Sequence, residues 1–165
     1  MSQQNSGQMI QVPNKLGAKV GGGGRLGAID PAAIAKAEAA LKSLSGNFAQ
    51  WLNDELAKLE AARQTVRSDG VTAETMESLY LRAHDLKGLG TTYGYPLVTR
   101  IGSSLCWLLH EAESRLSAPV ALVEAHVDAI SASVRRNIRS DADTTGRALA
   151  EELEAQTARI MRHAA

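Results

Sequence analysis

The chain has 165 residues, and its 18 Lys and Arg are balanced by 18 Asp and Glu, for a formal net charge of zero. Neutrality speaks against a nucleic-acid binder, whose footprint is a net basic domain, and against attachment to anionic lipid by bulk charge. The single cysteine, Cys106, excludes an internal disulfide framework and any CxxC metal or redox motif.

Targeting signals are equally scarce. No stretch approaches the ~20 apolar residues that span a bilayer. The first 29 residues hold no apolar run that could serve as a signal-peptide core, and Ser2 rather than Gly follows Met1, so the myristoylation pattern is missing. A cytoplasmic protein with no membrane partner and no nucleic-acid partner is expected.

Charge and glycine are unevenly spread. Residues 1–29 contain Lys15, Lys19 and Arg25 and no acid, together with seven of the 14 glycines, four of them consecutive from Gly21 to Gly24. Such a segment buries too little apolar surface to offset its chain entropy, so it reads as a flexible basic leader. It lacks the Gly-Lys-Ser/Thr ending of a phosphate-binding loop. Residues 30–165 read as one folded domain of mildly acidic balance.

Order is predicted to begin at Asp30-Pro31, an N-cap carboxylate followed by proline at the first helical position. From there apolar residues recur at helical spacing and no run alternates as strands do. Ile34, Ala37, Leu41 and Leu44 form a stripe that continues as Phe48, Leu52, Leu56, Leu59 and Val66, with Ser45-Gly46 as a break or a bend. Asp69-Gly70 stops it. Thr72 caps the next helix, which is predicted to run to Gly94, a left-handed terminating residue. Tyr95-Pro96 starts a helix over 96–116, Pro119 one over 119–139, and Asp141 or Asp143 a last one over about 143–162. Four helices of about 30 Å joined by short connections fold up-down-up-down. The expected architecture is all-α: an antiparallel four-helix bundle, core about 45–139, with a short N-terminal helix and an additional C-terminal helix.

One histidine stands out. On a helical wheel for 72–93, Leu79, Leu86, Leu89, Gly90 and Tyr93 share the core-facing arc, and His84 points the opposite way, into solvent at mid-helix. Tyr80 and Lys87 lie one turn to either side, with Gly88 and Thr91 beyond. Gly88 is costly in a helix interior, by about 0.5–1 kcal/mol relative to alanine, and it lies where a side chain would crowd the imidazole. Lys87 can swing an ammonium group toward anything attached to His84. An accessible imidazole with space beside it and a cation in reach is suited to carry an anionic group such as phosphoryl.

His84-Asp85-Leu86-Lys87-Gly88, followed by Gly94, resembles the H-x-L-K-G-x-x-x-x-x-G signature of histidine-containing phosphotransfer (HPt) domains. Leu89 and Gly90 depart from the alanine or serine usual after the motif glycine. The resemblance implies a four-helix bundle and a relay. A receiver-domain phospho-aspartate, or a histidine or hybrid kinase, would donate to Nε2 of His84, and a response-regulator receiver would accept. It implies that Lys87 steadies the phosphoryl oxygens, Gly88 admits them, and Tyr80 and Thr91 belong to the docking rim. It also implies a covalent carrier with no ATP-binding domain and no metal or cofactor of its own, Mg²⁺ being needed only on the receiver. A monomer is expected. The alternative is a helical scaffold or interaction module in which His84 is never phosphorylated.

The remaining candidates have plain structural readings. His110 reads as partly exposed, His126 as a core-edge residue, and Cys106 as a small buried hydrophobe. Phe48, Trp51 and Trp107 read as core or seam residues, and Arg135, Arg136 and Arg139 as a solvated helix end. A zinc site built from His84, His110 and His126 would need three helices to converge without a spacing motif, and none is expected.

Overall fold

The computed structural model describes residues 30–164, and these are helical apart from short connections. Six helices follow one another: α1 (Pro31–Asp69), α2 (Ala73–Leu89), α3 (Pro96–Leu108), α4 (Ala112–Ser117), α5 (Val120–Arg135) and α6 (Thr144–Ala164). No strand occurs among the described residues. The basic leader read over 1–29 lies outside them.

The chain divides by compactness between Ala39 and Ala40. The first unit contributes the opening turns of α1, which start as Asp30-Pro31 predicts: the Ala32 amide donates to Asp30 Oδ1 at 3.0 Å. Among the described residues there is no separate short N-terminal helix, because α1 runs unbroken for 39 residues. Gly46 has open space around its Cβ position, and the Ser45 hydroxyl donates back to the Lys42 carbonyl at 2.9 Å. Neither residue therefore forces a break, and the glycine costs only its propensity penalty of about 1 kcal/mol.

The second unit holds the core. Leu52, Leu56, Leu59 and Val66 of α1, Met76, Leu79, Ala83 and Leu86 of α2, Leu97, Ile101, Leu105 and Leu108 of α3, and Val123, Val127 and Ile130 of α5 are buried. Each large aliphatic side chain so buried contributes about 1.5–3 kcal/mol. Helix α3 is the hub, touching α2, α5 and α6.

Polar contacts set the registers. Glu60, Arg63 and Arg67 of α1 meet Ser131, Asp128 and Glu124 of α5, so numbers rise along one helix as they fall along the other. Phe48 stacks on Tyr93 just beyond one end of α2, while Val66 shares a small cavity with Met76 and Leu79 near the other. Lys87 faces Gly102 and Gly90 faces Thr99 across α2 and α3. Arg100 clasps Glu154 of α6 through two bonds of 2.7 Å, and Ser104 reaches Thr157.

Two boundaries differ from the sequence reading. The expected helix over 96–116 is two pieces, because α3 ends at Leu108 and the chain re-enters a helix only at Ala112. The His110 ring nitrogen Nδ1 turns back to the Trp107 carbonyl, and Arg115 caps the freed carbonyls of Leu109 and His110. Helix α2 ends at Leu89, not at Gly94. A Cβ on Gly90 would stand 2.7 Å from Thr99 Oγ1 and 2.8 Å from the Thr99 amide nitrogen, so only glycine lets α3 start this close. Gly94 does adopt the left-handed conformation, with φ +82°, but at the end of the turn that follows. At the last helix, Asp143 is the cap, accepting from the Gly146 amide at 2.9 Å.

Candidate functional site

The site grows out of α2. Thr72 starts that helix with a reciprocal cap: its hydroxyl accepts from the Thr75 amide at 3.1 Å, while Thr75 Oγ1 accepts from the Thr72 amide at 3.0 Å. A second threonine takes the place that glutamate holds in the usual capping box. With the start fixed and Met76, Leu79, Ala83 and Leu86 committed to the core, the helical period turns His84 outward. His84 is exposed, about three turns into the helix and just over one turn from its end.

Its surroundings are asymmetric. Tyr80, half-buried, leans toward His84 with ring centroids 6.1 Å apart. The Arg115 guanidinium of α4 lies 4.4 Å above the other partner of that contact, the Tyr80 ring, and its Nε donates to the Leu109 carbonyl at 2.9 Å. The guanidinium holds the tyrosine by a cation–π contact. Leu81, one turn before His84, is 50 % exposed, an apolar element that the sequence pattern alone does not assign to this face.

Gly88 stands in open space: a Cβ there would meet nothing within 4 Å. A methyl group at 88 therefore does not crowd the imidazole, which narrows the steric expectation to larger side chains and to whatever docks there. Lys87 is half-buried, with its backbone and Cβ 3.3 Å from the Cβ position of Gly102, so the α2–α3 crossing anchors the base of the lysine. None of the ion pairs among the described residues engages Lys87. Arg82, whose side chain is 41 % exposed, pairs with Asp85 at 3.4 Å.

Thr91 is exposed and tied to α3. It lies beyond the end of α2, where its amide and hydroxyl both donate to Thr99 Oγ1, at 2.8 and 2.9 Å. Those bonds tie the turn to α3. Arg115, by contrast, is the neighbour that spacing within one helix could not reveal, because it comes from a different helix.

The other histidines are elsewhere. His110 is exposed at the end of α3. His126 is fully buried, deeper than a core edge, with Nδ1 donating to the Leu122 carbonyl at 2.7 Å and Nε2 2.9 Å from Ser104 Oγ. Burial pushes its imidazole below the ordinary value, and the Leu122 bond opposes this. Burial likewise pushes the Cys106 thiol up to about 11, with the Lys87 charge working the other way. Among the described residues no three His, Cys, Asp or Glu side chains gather as a metal site, and no helix is long and apolar enough to cross a membrane. Phe48 is half-buried, whereas Trp51 and Trp107 are 44 % and 47 % exposed.

Comparison with protein-family models, with curated proteins and with solved structures finds no match for this chain.

Proposed function

We propose that the chain is a phosphorelay intermediary that accepts a phosphoryl group on His84 from a kinase or a receiver aspartate and passes it to a response-regulator receiver. The observation that carries the proposal is His84 itself, exposed on α2 toward its C-terminal end, with open space at Gly88 one turn away. Phosphoryl transfer is mainly positioning and charge stabilisation. Neutral imidazole supplies the attacking Nε2, the phosphorus–oxygen bond to the donor aspartate breaks as the nitrogen–phosphorus bond forms, and the receiver brings its own carboxylates and Mg²⁺. Lys87, held at its base by the α2–α3 crossing, supplies the cation on this side.

The scaffold of this reading is an antiparallel four-helix bundle of α1, α2, α3 and α5, with α4 as an insertion and α6 added outside. It is supported by the opposed registers of α1 with α5 and of α2 with α3. Tyr80, steadied by Arg115, and Leu81 belong to the docking rim. We further infer that the protein acts in the cytoplasm as a monomer.

The test is phosphotransfer profiling. Purified receivers charged with acetyl phosphate are mixed one by one with the chain, and the label is followed on both proteins. Rapid movement from one or a few receivers to the chain, and back, is expected. Failure with every receiver and kinase of the host would leave a helical interaction module in its place.

A further inference from the structure

Away from His84, a cavity of about 310 Å³ opens where the turn after α2 meets α1 and the chain beyond α5. Phe48 and Tyr93 form one wall, their rings stacked with centroids 5.4 Å apart. Trp51 packs behind both, 5.7 Å from Phe48 and 6.1 Å from Tyr93. Arg139 also lines it, beside Gly94.

Arg139 is exposed, and two contacts orient its side chain. Asn137, in the left-handed region at φ 55°, presents its Oδ1 to two donors: the Tyr95 hydroxyl at 2.9 Å and Arg139 Nε at 2.9 Å. The guanidinium carbon lies 5.1 Å from the centre of the Tyr95 ring, and Nη1 passes 3.7 Å from where a Cβ on Gly94 would stand. The side chain is thus oriented through Nε and through its face. Its two terminal nitrogens, the pair that forms a bidentate grip on a carboxylate, have no acceptor among the described residues, and no carboxylate there pairs with it.

We propose that this cavity binds a small aromatic carboxylate, its ring against Phe48 and Tyr93 and its carboxylate on the terminal nitrogens of Arg139. Charge selects an anion, because the pocket presents a cation that has no carboxylate partner among the described residues and is oriented by Asn137 and Tyr95. The edges and outer faces of the two rings, which stack on each other, favour an aromatic group. Size sets the upper limit, since about 310 Å³ is at the small end of ligand pockets and takes a one- or two-ring compound rather than a nucleotide. The site does not depend on the phosphorelay reading.

Trp51 provides the signal. The chain has two tryptophans, so Trp107→Phe leaves Trp51 as the only indole. Its fluorescence is titrated with 4-hydroxyphenylacetate and with the neutral counterpart 4-methylphenol, in that background and with Arg139→Gln added. Saturable quenching by the carboxylate is expected, at least tenfold weaker with 4-methylphenol and at least tenfold weaker after Arg139→Gln. Absence of saturable binding in the millimolar range, or equal binding of the two compounds, overturns the proposal. The comparison of the two compounds in the arginine-bearing protein decides the matter even if Arg139→Gln lowers stability.

Discussion

Gly88 and Gly90 sit two residues apart, and their surroundings predict opposite responses to the same change. In Gly90→Ala the new methyl would stand 2.7 Å from Thr99 Oγ1, 2.8 Å from the Thr99 amide nitrogen and 3.0 Å from the Tyr95 carbonyl oxygen. Two of those atoms are backbone, so the α2–α3 junction itself must open, at the ~1–3 kcal/mol that overpacking costs. Opening also stretches the two bonds from Thr91 to Thr99 Oγ1, each worth about 1 kcal/mol. A loss of about 2–4 kcal/mol is expected. In Gly88→Ala nothing lies within 4 Å of the methyl, and only helix propensity changes. The full gain of about 0.5–1 kcal/mol is reduced because Gly88 is in the last turn of α2, so about 0.5 kcal/mol of stabilisation is expected. Urea unfolding followed by circular dichroism measures both. A Gly90→Ala protein as stable as wild type, or a Gly88→Ala protein destabilised by more than 1 kcal/mol, would refute the placement of α2 against α3.

The remaining expectations concern chemistry at single groups. Gly88→Leu should slow phosphotransfer at least tenfold with helix content unchanged, as circular dichroism and receiver-charging kinetics would report; unaltered transfer would remove the glycine from the site. His126→Phe should cost roughly 2 kcal/mol at pH 7 by leaving the Ser104 and Thr157 hydroxyls without their acceptor. In the wild-type protein the imidazole is held below its ordinary value of 6.5, so the unfolded chain takes up the proton first as pH falls. Stability present above pH 6.5 is therefore lost below it, by at most about 1.4 kcal/mol per pH unit, and His126→Phe should flatten that limb of the curve. Cys106, with its thiol pushed up to about 11, should react with a thiol reagent at pH 8 about 100-fold more slowly than in the denatured chain, from thiolate fraction alone.

Much of the fold was legible because burial and helical period coincide. Leu52, Leu56, Leu59 and Val66, then Leu97, Ile101 and Leu105, then Val123, Val127 and Ile130 are stripes in the sequence and core in the structure. The outward direction of His84 follows from the same rule. Tertiary approach distances do not show in a sequence. Gly90 reads as an oddity of the motif until Thr99 is found against it, and α2 stops there as a result. Thr91, just past the helix end, bonds to Thr99 of α3, a contact that a helical wheel does not show. The interruption after Leu108 was hidden because Leu109 and Ala112 keep the apolar period while the backbone turns. Arg115 and Arg139 gain their partners, Tyr80 and Tyr95, from other segments, and no spacing within one helix announces either pairing.

The proposal at His84 rests most directly on one bond, between Nε2 and phosphorus. Wild-type protein and His84→Gln are incubated with a phosphorylated receiver that passes label, and the products are examined by ³¹P NMR and by acid and alkali stability. A phosphoramidate signal that is acid-labile and alkali-stable is expected in the wild-type protein and absent from His84→Gln. The same signal in His84→Gln, or none in wild type with every competent receiver, would contradict the assignment.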